Sequence, residues 1–159
     1  PELAVRVLRE FADAVSAVIA GEAADIIGEK RSPDPALLEY IHIHKTAALI
    51  VGALRAGAIL AGADETALEP VTRYGQALGL LFQITDDLLD VEGNEPEIGK
   101  PTGADAAAGK QTYPGVYGIE ETKRRAAELA QKAQAEAEKM PRNGELWAAL
   151  AHMILTRSR

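Results

Sequence analysis

Phe82-Gln83-Ile84-Thr85-Asp86-Asp87-Leu88-Leu89-Asp90 is the stretch on which the reading of this chain turns. Its spacing is helical. At about 100° per residue, Gln83, Asp86, Asp87 and Asp90 occupy one arc of roughly 100°, while Leu81, Thr85, Leu88 and Leu89 turn the other way as candidate core. Three carboxylates therefore share a helix face. Gly75, Gln76 and Gly79 continue that face toward the N-terminus, where missing side-chain bulk lets a ligand or another helix approach.

Outward from this segment, apolar residues recur at steps of three and four, and no stretch alternates with the period of two that marks strands. The fold class is all-α. A first helix is expected from about Pro1 to Ala20, with Val5, Leu8, Ala12, Val15 and Ile19 stepping by three or four and Gly21 and Gly28 loosening the chain beyond it. Asp34 as cap and Pro35 in the first helical position start a second helix that runs to about Gly62. Asp64 caps a third, which carries the acids and ends near Val91, before Gly93-Asn94. Residues 93–118, rich in Gly and Pro, are expected to form a long loop of the kind that is functional or disordered. A fourth helix spans Glu120 to Met140, with Glu120–Arg124, Glu121–Arg125 and Glu128–Lys132 pairs on a solvated face. A last short helix packs Leu146, Trp147, Leu150, Met153 and Ile154. Residues 1–159 read as one partial domain.

Composition narrows the function. Of 159 residues, 47% are apolar and 26% charged, and the net charge of −7 disfavours polyanions, so nucleic acid is not an expected partner. With 0 Cys, thiolate metal sites and Cys nucleophiles are excluded, and a cytoplasmic location is the natural reading. The N-terminal residues lack a signal-peptide pattern. Thr46 to Ala63 approaches the length of a membrane span, but Arg55 sits in its middle, so no membrane span is expected.

The acids need an explanation. Each carboxylate pair at about 6 Å repels by roughly 3 kcal/mol at an effective dielectric near 20, and all three sit at the negative end of the helix dipole. A hard divalent cation is the simplest compensation, and oxygen ligands on adjacent turns suit Mg²⁺ shared with a phosphate. A solvated acidic patch or partly protonated acids are the alternatives. Lys45, beside Leu49, Gly52 and Ala56, is a candidate anion partner, although such lysines commonly reach to solvent. His42 and His44 point about 200° apart and cannot clamp one metal; they read as surface or hydrogen-bonded residues. Gly99-Lys100 and Gly109-Lys110 place flexible ammonium groups in the loop.

Taken together, Gly21-Glu22-Ala23-Ala24-Asp25, His44-Lys45-Thr46, Phe82 to Asp90, Gly99-Lys100, Gly103-Ala104-Asp105 and Gly109-Lys110-Gln111-Thr112-Tyr113-Pro114 resemble the C-terminal half of a trans-isoprenyl diphosphate synthase, a polyprenyl synthetase. The likeness runs over nearly the whole chain and leans toward bacterial short-chain farnesyl or geranylgeranyl diphosphate synthases. It implies the C-terminal part of the isoprenoid synthase helical bundle. By the same resemblance Asp86, Asp87 and Asp90 bind Mg²⁺ attached to an allylic diphosphate, and Lys45, Lys100 and Lys110 contact its oxygens. Thr46 and Gln83 direct oxygen dipoles toward the allylic cation. Isopentenyl diphosphate would then attack, a proton would leave, and the enzyme would be a homodimer.

Two departures qualify the resemblance. Glu22 stands where the family usually has Gln. No second Asp-Asp-x-x-Asp occurs in the sequence, so the first aspartate-rich motif and the isopentenyl diphosphate site are expected outside these residues, and the chain alone is expected to be inactive. A truncated non-catalytic subunit that pairs with a complete synthase is the alternative. A terpene synthase of the same fold would carry a different second motif.

Overall fold

The computed structural model describes residues 1–92, 103–140 and 142–157. Every regular element among them is helical: α1 (Glu2–Gly28), α2 (Pro35–His42), a π-helical turn (Ile43–Ala47), α3 (Ala48–Leu60), α4 (Glu65–Glu92), α5 (Ala104–Ala108), α6 (Tyr113–Tyr117), α7 (Ile119–Ala137) and α8 (Gly144–Thr156).

Local chemistry sets the starts. Asp34 accepts hydrogen bonds from the Ala36 and Leu37 amides at 2.9 and 3.3 Å, with Pro35 behind it, which satisfies two amides that the first turn leaves unpaired. Asp64 does the same for Ala67 at 2.8 Å, and Thr112 caps α6 through Gly115.

The core forms around α4, the central rod. Tyr74, Ala77, Leu78, Leu81 and Ile84 pack with Ala126, Ala130, Ala133 and Ala137 of α7 and with Ala151 and Ile154 of α8. The alanine spacing gives α7 one flat, small-residue face, so it can lie close against α4. Tyr74 donates its hydroxyl to the Trp147 carbonyl at 2.8 Å, and burial pushes its pKa up to about 12. On its other side α4 meets α3, which in turn meets α1. Arg55 ties all three: it donates to both carboxylate oxygens of Glu10 at 2.7 and 2.8 Å and to Thr72 Oγ1 at 2.7 Å. The run Pro35–Leu60 is long and apolar enough to cross a membrane by length and composition alone, at mean hydropathy 1.4. It is broken by the π-turn and carries Lys45 and the paired Arg55.

Several expectations change. The first helix does not stop at Ala20, because Gly21 is a contact point rather than a break. A Cβ there would lie 2.2 Å from the Lys45 amide nitrogen, so only glycine lets α1 cross the π-turn at this distance. Leu146 and Met153, expected to pack, are exposed, and so are Val5, Leu8, Val15 and Ile19 along α1. The face of α1 that packs on α3 is instead the one carrying Ala14 and Glu10. Within the expected loop 93–118, α5 and α6 are short helices; residues 93–102 lie outside the described ones. On α7, Arg125 pairs with Glu121 as expected, whereas Arg124 pairs with Glu121 and Glu128, and Glu120 pairs with Lys123.

Candidate functional site

The π-turn is what presents the first two candidate residues. Its wider closure, with the Ala48 amide donating to the Ile43 carbonyl, spans five residues, and such turns tend to occur where a side chain must be aimed. Two glycines make room for it: Gly21 of α1 against Lys45, and Gly79 of α4, where a Cβ would lie 2.5 Å from Ala47 Cα. His44 secures it, its Nδ1 sitting 2.8 Å from the Tyr40 carbonyl oxygen while the two rings stack at 3.9 Å.

From this turn Lys45 reaches α1 and Thr46 reaches α4. Lys45 Nζ lies 2.6 Å from Asp25 Oδ2 and 2.8 Å from Glu22 Oε2. Burial works against its charge, but the two carboxylates outweigh that and hold its pKa above the ordinary lysine value. Thr46 Oγ1 donates to Gln83 Oε1 at 2.8 Å, and Gln83 Nε2 donates to Asp87 Oδ1 at 3.0 Å. Thr46, Gln83 and Asp87 are thus one hydrogen-bonded chain that bridges the π-turn and the acidic helix.

The three acids do not behave alike. Asp87 is 2% exposed and accepts the Tyr113 amide on its other oxygen at 2.9 Å. Burial raises its pKa to about 7, against the opposing pull of the Tyr113 amide and Gln83. Asp90 Oδ2 accepts the Asp105 amide at 3.2 Å, and its carbonyl accepts the Gly103 amide at 2.7 Å. Asp86 is the open one, with a side chain 41% exposed and Arg157 Nη2 at 3.7 Å. Arg157 is itself braced over the Phe82 ring and donates to the Phe82 carbonyl and Thr85 Oγ1.

Among the described residues no group of three His, Cys, Asp or Glu side chains is gathered around one point where a metal ion could sit. Asp87 and Asp90 turn instead toward amides of the segment C-terminal to α4. The donor chemistry still suits a hard cation, since Asp86 supplies carboxylate oxygen open to solvent and no thiolate or imidazole joins it.

Of the loop lysines, Lys110 comes to the site. Its Nζ lies 3.2 Å from Asp105 Oδ1; burial opposes its charge, but Asp105 keeps its pKa above the ordinary value, with Asp25 and Lys45 also within electrostatic reach. Gln111, only 6% exposed, holds this segment to the α1–α2 connection: its Oε1 accepts the Asp34 amide at 2.9 Å and its Nε2 donates to the Arg31 carbonyl at 3.2 Å. Lys100 lies outside the described residues.

Sequence reasoning passed over Asp25, Asp105 and Arg157 as site residues, and it placed His42 wrongly. His42 is buried, stacks on Tyr113 at 5.2 Å and lies 3.7 Å from Asp87. Burial drives its pKa down to about 3, so the ring is neutral and this contact is not an ion pair. Asp25 had a legible signal, since it falls one turn beyond Gly21 on the face that meets Lys45.

A family model described as Polyprenyl synthetase matches residues 2–148. The chain belongs to the polyprenyl synthetase family. Geranylgeranyl pyrophosphate synthase 3, chloroplastic, of Arabidopsis thaliana is 41% identical to it over 143 residues, which are 87% of this chain and 39% of that protein. Farnesyl diphosphate synthase of Haemophilus influenzae is 40% identical over 145 residues, covering 90% of this chain and 49% of that protein. A geranyltransferase of Helicobacter pylori, solved in complex with magnesium and isoprenyl diphosphate, superposes at a TM-score of 0.80 with 26% identity over 98% of this chain and 52% of that one. This polyprenyl synthetase chain spans less than half the length of the two curated relatives, and its all-α architecture is part of the isoprenoid synthase helical fold.

Proposed function

We propose that this chain is the C-terminal half of a trans-prenyltransferase that condenses isopentenyl diphosphate with an allylic diphosphate. The observation that carries the reading is the hydrogen-bonded chain from Thr46 through Gln83 to Asp87, flanked by Lys45 and Lys110 and by the open carboxylate of Asp86. Cations that could hold a diphosphate and oxygen atoms that could face a carbocation stand on adjoining elements, which is the arrangement that ionisation of an allylic diphosphate requires.

Mg²⁺ bound to diphosphate would neutralise charge on the leaving group. Asp86, Asp87 and Asp90 are the residues that would hold it, and Asp86 is the most exposed of the three. Lys45 and Lys110 bind diphosphate oxygens, with Lys100 assigned the same role from the sequence. Thr46 Oγ1 and the Gln83 amide oxygen, oriented by each other and by Asp87, stabilise the allylic cation. The relatives named above favour a farnesyl or geranylgeranyl product.

The first aspartate-rich motif and the isopentenyl diphosphate site belong, in this reading, to the part of the gene product outside these residues, and the 159-residue chain alone is inactive. A homodimer in the cytoplasm completes the reading; the exposed apolar side chains along α1 support a face that another surface covers. The test is condensation of isopentenyl diphosphate with geranyl diphosphate by the full gene product and by residues 1–159. Turnover that needs the full product and magnesium is the expected result. Robust turnover by residues 1–159 would overturn the division of labour, and no turnover by either would overturn the function.

A further inference from the structure

Lys45 Nζ is shared by two carboxylates of α1 that differ in how firmly they are held. Asp25 Oδ2 lies at 2.6 Å with its side chain 9% exposed, whereas Glu22 Oε2 lies at 2.8 Å with its side chain 51% exposed. Asp25 is fixed in the protein, and Glu22 reaches in from solvent. Lys110, the second site lysine among the described residues, pairs there with one carboxylate, Asp105, at 3.2 Å. The Lys110–Asp105 pair is neutral; Lys45 with Asp25 and Glu22 carries a net negative charge.

That imbalance matters for an anionic ligand. An ammonium group has three protons to donate, and two of those on Lys45 are directed at carboxylates. A phosphate oxygen that takes the third meets Glu22 at close range, as one negative charge beside another. We propose that Glu22 sets the affinity of the site for diphosphate: it occupies Lys45 and must be displaced, or its repulsion tolerated, whenever a diphosphate oxygen engages that lysine. Glu22 acts through Lys45 and touches no reacting atom. The inference rests on the diphosphate reading of the site and deepens it, making this chain a deliberately weak binder of its allylic substrate.

The experiment uses the full gene product with Glu22→Gln, which keeps the shape and removes the charge. Two measurements are made: binding of inorganic pyrophosphate with Mg²⁺ by titration calorimetry, and KM for the allylic diphosphate. Glu22→Gln is expected to tighten pyrophosphate binding and lower that KM by about 3- to 10-fold, the scale of one partly screened charge, while KM for isopentenyl diphosphate stays put. Adding Lys45→Met should erase the gain, as expected if the two side chains act as a pair. Unchanged or weaker pyrophosphate binding in Glu22→Gln would overturn the proposal. If the unaltered product transfers no prenyl group, the transferase reading fails on its own, and the pyrophosphate titration still decides for or against the role of Glu22.

Discussion

Thr46 Oγ1 and Gln83 Oε1 are 2.8 Å apart, and this single hydrogen bond joins the π-turn to the acidic helix. Its direction is set by the neighbours. Gln83 Nε2 is committed to Asp87, so the amide oxygen is left to accept from Thr46. Asp87 is in turn held by the Tyr113 amide, which connects three separate parts of the chain in one line of hydrogen bonds.

Gln83→Leu breaks that line at its centre, leaving Asp87 Oδ1 and the Thr46 hydroxyl without their partner. Because oriented dipoles act mainly where charge develops, kcat of the full gene product should fall by about 10- to 100-fold, with KM for the allylic diphosphate changed far less. Steady-state kinetics with both substrates check it, and an effect confined to KM would assign Gln83 to binding instead.

Asp86→Ala removes the most open of the three carboxylates. The magnesium concentration needed for half-maximal activity should rise at least about 10-fold, the scale on which changes to a metal's surroundings act. A magnesium titration of initial rate reads this directly. Equal loss of rate at every magnesium concentration would speak against a role for Asp86 in holding the ion.

Gly21→Ala places a methyl group where the Lys45 amide nitrogen stands, 2.2 Å away, and the nearest atoms are all backbone. Neither helix can yield by rotating a side chain. Overpacking of this kind costs about 1–3 kcal/mol, so a lower Tm should accompany weaker diphosphate binding, because Lys45 moves with the backbone that is pushed. Thermal denaturation and pyrophosphate titration of the same variant test both halves.

Glu10 and Arg55 give the protein an acid-sensitive tie between α1 and α3. The hydrogen bonds and charge of Arg55 hold the Glu10 carboxyl below its ordinary 4.5, against burial. A depressed folded-state pKa means that the stabilisation is present above about pH 4.5 and is lost as pH falls through the lower, folded value. Arg55→Met should therefore lower the unfolding free energy from urea denaturation near neutral pH by about 1–3 kcal/mol, the scale of a charged hydrogen bond, and the gap from the unaltered protein should narrow below about pH 4. A gap independent of pH would assign the loss to packing by the arginine stem.

Much of the fold and part of the site were legible in the sequence, for reasons that differ residue by residue. Asp34 and Asp64 announced helix starts because capping is local chemistry, decided within four residues. The common face of Gln83, Asp86, Asp87 and Asp90 came from helical geometry, but their aim did not: Asp87 and Asp90 turn toward amides of Tyr113 and Asp105, contacts that depend on how a later segment folds back. Gly21 was misread for the same reason, since its partner lies 24 positions onward at Lys45 and helix propensity alone cannot separate a break from a crossing. The apolar stripe of Val5, Leu8, Val15 and Ile19 marked α1 as a helix by its spacing, but periodicity does not say which face packs, and these side chains are exposed. The π-turn left no trace in composition at all.

That turn carries one residue more than regular winding would, which makes the length of the helix arm between Asp34 and Gly52 as meaningful as its letters. Deleting a single position between Asp34 and Lys45 would let the arm relax to ordinary winding and leave its capped start in place, yet the residues between the deletion and the turn would each be turned by about 100°, and the wide turn that presents Lys45 would be lost. A relative that has lost or gained one residue there cannot keep both the capped start and the lysine in place. Alignments of this region should accordingly tolerate exchanges of side chain far more readily than gaps.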